Sequence, residues 1–213
     1  MAILRVNPTR MELTKLKKRL VVASRGHKLL KDKRDEMVRQ FMLLIRRNRE
    51  LRAQVEEALG KALSGFVLAR VAMSKEAMDE ALLYPVREVE LTVAKANIMS
   101  VHVPRISYKE KKREQVFFPY GMLTTSAELD SAVASLAAVL PQMVELAELE
   151  KTCNLLADEI EKTRRRVNAL EYVMIPQLQE TIKYIRMKLD ENERGSLVRL
   201  MKTKDMIAGR DSQ

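Results

Sequence analysis

The sequence predicts an all-α dominated fold, a long antiparallel two-helix coiled coil with a small insert containing a β-hairpin. Three observations carry this. Gly and Pro number six each among 213 residues, aromatics are 4%, and charged residues reach 32%. That composition suits long helices better than a compact globule. Apolar residues recur at alternating steps of three and four through the first third of the chain and again through the last. Between those stretches the alternation changes to a period of two.

The first helix opens at NPTRMEL, where Pro8 fits a first helical position after Asn7, and Thr9 with Glu12 makes a capping box. From Leu13 the 3,4 spacing runs without a slip to Ala72. Fourteen of its eighteen positions are apolar; His27, Arg34 and Asn48 are polar, and Gly65 completes the set. Chance at 46% apolar would give about eight, so a heptad seam is expected. A helix of about 60 residues is about 90 Å long. Pro85 ends it. The expected segments are residues 1–82 for this helix, 83–125 for the insert, 126–207 for the second helix and 208–213 for a tail.

Within the insert, EVELTV and IMSVHV alternate apolar and polar around AKAN, which predicts a hairpin over about 88–103. YKEKKREQ reads as charged and exposed, and FFPYGM as an apolar patch with turn residues. The second helix has a capping-box candidate in Thr125 and Glu128, a stripe through Leu129, Leu136 and Met143, and a kink expected at Pro141. A clean seam follows from Leu146 to Met174. Past Pro176 the stripe steps by four through Leu178 and Ile182, a stutter that locally unwinds a coiled coil.

Charge is concentrated. Residues 1–52 hold 16 basic and 5 acidic residues, a net +11, and the remaining 23 basic and 24 acidic residues net −1. The basic end should meet something acidic. A basic leucine zipper does not fit, because Leu16, Leu20, Ala23 and Leu30 carry the seam straight through the basic residues. A single-strand binder would interleave aromatics, and residues 1–52 contain only Phe41. No active site of the chain's own is expected. GKALSGFV has the glycine spacing of a phosphate loop, but Phe66 and Val67 stand where Lys and Ser or Thr are needed. His27, His102 and Cys153 are scattered, with no metal-ligand spacing. No catalytic residue, cofactor or metal is expected. One cysteine, no signal-peptide core at MAILRVNPTR and no apolar run of about 20 residues lead to the expectation of a soluble cytoplasmic protein.

NPTRMELTKLKKRL, RGHKLLKDKRDEMVRQF and EKTRRRVNALEYVMIPQLQETI occur in that order. Together they resemble the D subunit of V-type and A-type rotary ATPases, over essentially the whole chain. The resemblance implies a non-catalytic rotor shaft that couples ATP turnover to proton or sodium transport. It implies as partners the A and B subunits of the ATPase ring, the F subunit of the central stalk and the adaptor subunit on the membrane ring. It also implies a peripheral place on the cytoplasmic face of the membrane, without insertion or nucleic acid. A coiled-coil scaffold or nucleic-acid-binding arm with no rotary role is the second class.

Arg164, Arg165 and Arg166 point three ways around a helix, since each residue turns it about 100°. A shaft inside a ring meets protein on every side, which accounts for them. Taking residues 80 and 126, or 7 and 205, as level ends places residue 165 opposite 41–47. Arg46, Arg47 and Arg49 would then join the three into a ring-facing collar. The hairpin and the patch, with Phe117, Phe118 and Tyr120, are expected at the membrane-proximal end, in contact with partner subunits.

Overall fold

A computed structural model describes residues 4–83, 87–112, 120–121 and 125–211. Helix α1 spans Arg10–Ala72, α2 Lys75–Leu82, α3 Ala127–Ala169 and α4 Ile175–Asp211. Strands β1 (Arg87–Ile98) and β2 (Val101–Lys112) form an antiparallel pair. One π-helical turn, Leu170–Met174, joins α3 to α4. The chain divides into two compact units, residues 1–36 with 161–213, and residues 37–160. The fold class is the expected one: a long antiparallel helix pair with a small hairpin insert.

The first unit holds the start of α1 against α4. Thr9 Oγ1 accepts from the Glu12 N–H at 3.2 Å, so Thr9 is the cap and Pro8 stands just outside the helix. Leu16, Ala23, Leu178 and Ile185 are buried together, with Leu13, Leu20 and Ile182 packed around them. Fully burying a Leu or Ile stabilises by about 1.5–3 kcal/mol. His27 pairs with Glu171 and Arg10 with Glu193, so paired numbers sum to 198 and 203.

The stutter has a structural counterpart in this unit. Pro176 has no N–H to give the carbonyl of Tyr172, and its ring would clash there in a regular α-helix. The preceding turn widens instead, and the Ile175 N–H donates to Leu170 O, five residues back. The extra residue lets the buried row resume at Leu178, leaving Met174 49% exposed.

The second unit holds the rest of α1 against α3. Met37, Val55, Ala62 and Ala69 are buried on one helix, and Leu129, Ala132, Val139, Cys153 and Leu156 on the other. Of the eighteen predicted positions on α1, counted over both units, all but Ala72 are buried or half-buried. On α3 the stripe runs through Leu129, Ala132 and Val139, while Met143 is 39% exposed. From Met143 the seam steps by three twice, to Leu146 and Leu149. Each step of three falls about 60° short of a full turn, and Met143 is left outside the contact. Helix α3 continues through Pro141 without interruption.

Where the seam stops, so does α1. The expected single helix to residue 82 is broken at Met73 and Ser74. Ser74 Oγ accepts from the Ala77 N–H at 3.2 Å and caps α2, which brings Ala81 and Met78 back onto Ala69 and Leu129. The Thr125–Glu128 box is not formed: α3 opens at Ala127, so Ser126 stands at the cap position, and the Thr125 hydroxyl donates instead to Gly121 O at 3.1 Å. In this unit Arg47 pairs with Glu145 and Gly65 faces Ala132, which gives sums of 192 and 197. Both units therefore run below the expected 206–212. Helix α1 closes at 72 rather than 80, and α4 runs on well past the residue level with Arg10.

The hairpin is longer than expected, with twelve residues in each strand. AKAN belongs to β1. The turn is Met99–Ser100, with φ of 51° and 74°, and Asn97 Oδ1 accepts from the Ser100 N–H at 2.9 Å. Two left-handed residues match the twist of the flanking strands, and Asn97 supports them from just outside the turn. Residues 108–112 of the charged stretch lie in β2. At the tip, Val101 and Val103 share a cluster with Phe41, Leu44 and Leu156. Helix Ala127–Ile207 is long and apolar enough over 18 residues to cross a membrane, by length and composition only, and that window is 11% buried.

Candidate functional site

Nothing among the described residues groups three or more His, Cys, Asp or Glu side chains as a metal site would need. The GKALSGFV stretch lies inside α1, with its glycines in helical conformation. An added Cβ at Gly65 would stand 3.1 Å from that of Ala132, whereas nothing lies within 4 Å of one at Gly60. Gly65 thus serves close helix approach. The candidate sites are surfaces.

Arg164, Arg165 and Arg166 are exposed on the last turns of α3. Thr163 and Val167 beside them hold the seam, at 2% and 1% exposure. Arg165 ion-pairs with Glu161 on its own helix. With His27 level with Glu171, residue 165 lies opposite about 33, so Lys33 and Arg34 are its counterparts. That replaces the expected 41–47. Arg34 is half-buried at its seam position and bonds Asp35 at 2.7 Å.

Arg46, Arg47 and Arg49 are exposed in the other unit. Arg47 Nη2 meets Glu145 Oε1 at 2.5 Å. The neighbouring Arg52 bonds Glu56 at 2.9 Å and reaches Glu150 at 3.6 Å. The hydrogen bond from Arg52 to Glu56, then the charges of Glu56 and Glu150, raise its pKa. The pairing inside each unit thus sets each arginine group against its own opposite numbers.

Phe117 and Phe118 lie outside the described residues. Tyr120 is half-buried against the Ala69, Ala81 and Leu129 cluster, and its hydroxyl donates to Asp130 Oδ1 at 2.7 Å. Burial first, and Asp130 second, hold its phenol above the ordinary range.

Sequence reasoning left three features unremarked. A groove of about 710 Å³ opens in the first unit beside the π-helical turn, lined by Val22, Gly26, Leu170 and Met174 and rimmed by Lys18 and Arg19. The seam residues Asn48 and Cys153 share a core position. Asn48 Oδ1 is buried without a hydrogen-bond partner, and burial raises the Cys153 thiol pKa against a lowering bond from Asn48. Lastly, Leu63, Val67 and Val71, at steps of four on α1, are more than half exposed. The signal for this last row was the apolar excess of GKALSGFVLARVA, which a single seam does not use up.

The family described as the D subunit of ATP synthase matches residues 12–205. The chain belongs to that family. It is 61% identical over 208 residues to the D subunit of the V-type ATP synthase of Acetivibrio thermocellus, covering 97% of this chain and 94% of that one. The corresponding V-type ATP synthase D subunit of Clostridium novyi is 58% identical over 209 residues, with 97% of each chain covered. That of a Thermoanaerobacter species is 58% identical over 207 residues, covering 97% of this chain and 99% of its own. The family match takes in nearly all of α1, then α2, both strands, α3, the π-helical turn and most of α4, so it extends to the hairpin as well as the helices.

Proposed function

We propose that this chain is the non-catalytic central-stalk subunit of a V-type rotary ATPase. It would transmit rotation between an ATP-binding ring and an ion-translocating membrane ring. The observation that supports this most is the seam within each unit, an apolar row between two antiparallel helices with charges on the outward faces. Two helices interlocked along such a row resist twisting better than one. Membership of the D-subunit family over residues 12–205 supports it independently and leaves a free-standing scaffold or nucleic-acid arm unfavoured.

The finer assignments belong to the same reading. The chain supplies no catalytic residue, and ATP is bound and hydrolysed by the A and B subunits of the ring. Arg46, Arg47, Arg49, Arg164, Arg165 and Arg166 turn outward to carboxylates of that ring, with Lys33 beside the second group. Arg suits planar, bidentate pairing with carboxylates. Such contacts favour one ring state at each angle only if they differ between states. The F subunit and the membrane-ring adaptor cover apolar faces such as Leu63, Val67 and Val71, and Phe117, Phe118 and Tyr120 serve as partner contacts of the insert. Contiguous exposed apolar surface is a mark of protein contacts. The complex sits peripherally on the cytoplasmic face of the membrane. Co-expression with the A, B and F subunits tests this. The expected result is one complex that contains this chain and hydrolyses ATP. A chain that elutes alone from that mixture would overturn the proposal.

A further inference from the structure

A two-stranded sheet has two edges, and here they differ. The outer edge of β2 is engaged at Ile106, whose N–H donates to Glu148 Oε2 of α3 at 2.7 Å. The outer edge of β1 carries no strand among the described residues. Which groups it presents follows from the turn. A two-residue connection closes on a hydrogen-bonded pair, here Ile98 with Val101, and hydrogen-bonded and non-bonded pairs then alternate. Val93↔Ile106 and Leu91↔Tyr108 are therefore non-bonded pairs, and their N–H and C=O groups point outward. The Ile106 bond to Glu148 agrees with that parity. So does Pro104, whose missing N–H falls at another outward position, opposite Lys95.

Edges are normally blunted by Pro, Lys or a bulge. From Val89 to Ala94, β1 has none of these. Its outward-facing residues also carry the apolar side chains, with Leu91 52% and Val93 62% exposed. Its other face carries Glu88, Glu90 and Thr92, and β2 sets Lys109 opposite Glu90. Strand β2 is thus a template for what β1 accepts. It presents Ile106 and Tyr108 on the apolar face, and Arg105 and Lys109 on the acidic one.

We propose that β1 takes a third, antiparallel strand from a different protein, in which apolar residues alternate with Lys or Arg. Main-chain hydrogen bonds would supply much of the affinity, and the alternating side chains the selectivity. A second copy of this chain is a poorer occupant. Its β2 edge is already bonded to α3, and its β1 would bring Glu88 and Glu90 where the template has cations. The proposal does not rest on the rotary role.

The test uses the full chain and a fluorescent peptide of residues 105–112, RISYKEKK, read by anisotropy. Saturable binding is expected. N-methylation of the peptide at Ile106 and Tyr108 should weaken binding tenfold or more, because those amides face β1 in the added strand. N-methylation at Ser107 and Lys109 should change it less than twofold. Leu91→Pro removes an outward N–H and no ladder bond, and should also weaken binding at least tenfold while far-ultraviolet circular dichroism is unchanged. Absence of binding would overturn the proposal. So would the opposite N-methylation pattern, which means that the peptide has displaced β2. Concentration-dependent self-association that Leu91→Pro abolishes would assign the edge to a second copy and overturn it as well.

Discussion

Asn48 is the least comfortable residue in the seam. Its carbonyl oxygen is buried without a partner, beside a buried Cys153. Leaving such a group unsatisfied costs about 1–3 kcal/mol. Asn48→Leu should raise the free energy of chemical unfolding by about that amount, read from the urea midpoint at unchanged slope. A buried Asn in a seam also specifies register, at a cost in stability. Gly60 and Gly65 test residue context in the opposite sense. Gly60→Ala meets nothing within 4 Å and should stabilise by about 0.5–1 kcal/mol through helix propensity alone. Gly65→Val pushes against Ala132 and should destabilise by about 1–3 kcal/mol. Thermal unfolding of the two variants should therefore move in opposite directions. The spacing of these glycines in the sequence is that of a phosphate loop, and only the packing reveals that one of them is a contact and the other is idle.

At the scale of the element, the helices were legible and the joints between them less so. A 3,4 spacing repeated over sixty residues outweighs local noise, so the α1 seam from Leu13 to Ala69 could be read directly. The break at Ser74 has only one local signal, a capping serine within an otherwise helical run, and what places α2 is Ala81 and Met78 finding Ala69 and Leu129, a contact that no local pattern encodes. The hairpin turn was missed for a related reason. Asn97 in AKAN is a turn residue, but it acts from the strand, and the left-handed positions fall to Met99 and Ser100, neither of them Gly nor Asn. A left-handed backbone at a residue with a Cβ costs about 1–2 kcal/mol. Ser100→Gly should recover about 1 kcal/mol of that strain and slow amide exchange along β1 and β2. Unchanged exchange rates would mean that the hairpin is held by its tip cluster on Phe41 and Leu156 rather than by its turn.

For the whole molecule, the charge distribution is the feature with most bearing on function. The Arg164–Arg166 group lies outside a seam that Thr163 and Val167 already close, so its charges take no part in the buried contact. Changing Arg165 and Arg166 together to Glu should leave helicity within a few per cent on circular dichroism. It should weaken association with the ATPase ring, more so at low salt, where repulsion is least screened. Ring affinity equal to the unaltered chain's at 50 mM salt would mean that these arginines face only solvent. The sequence identified the arginines but not their counterparts. Antiparallel register depends on where each helix ends, and an error of eight residues at one end carries through to every pairing. The close approach at Gly65 and Ala132 has a mechanical side as well. A two-stranded rod resists bending in proportion to the square of the distance between its strands. The Ala62, Gly65 and Ala69 stretch lets its helices approach closely, and the seam residues Phe41, Leu44 and Leu156 are bulkier. Within the 37–160 unit, the small-residue stretch is thus the more compliant in bending, so a sideways load deflects the rod there first.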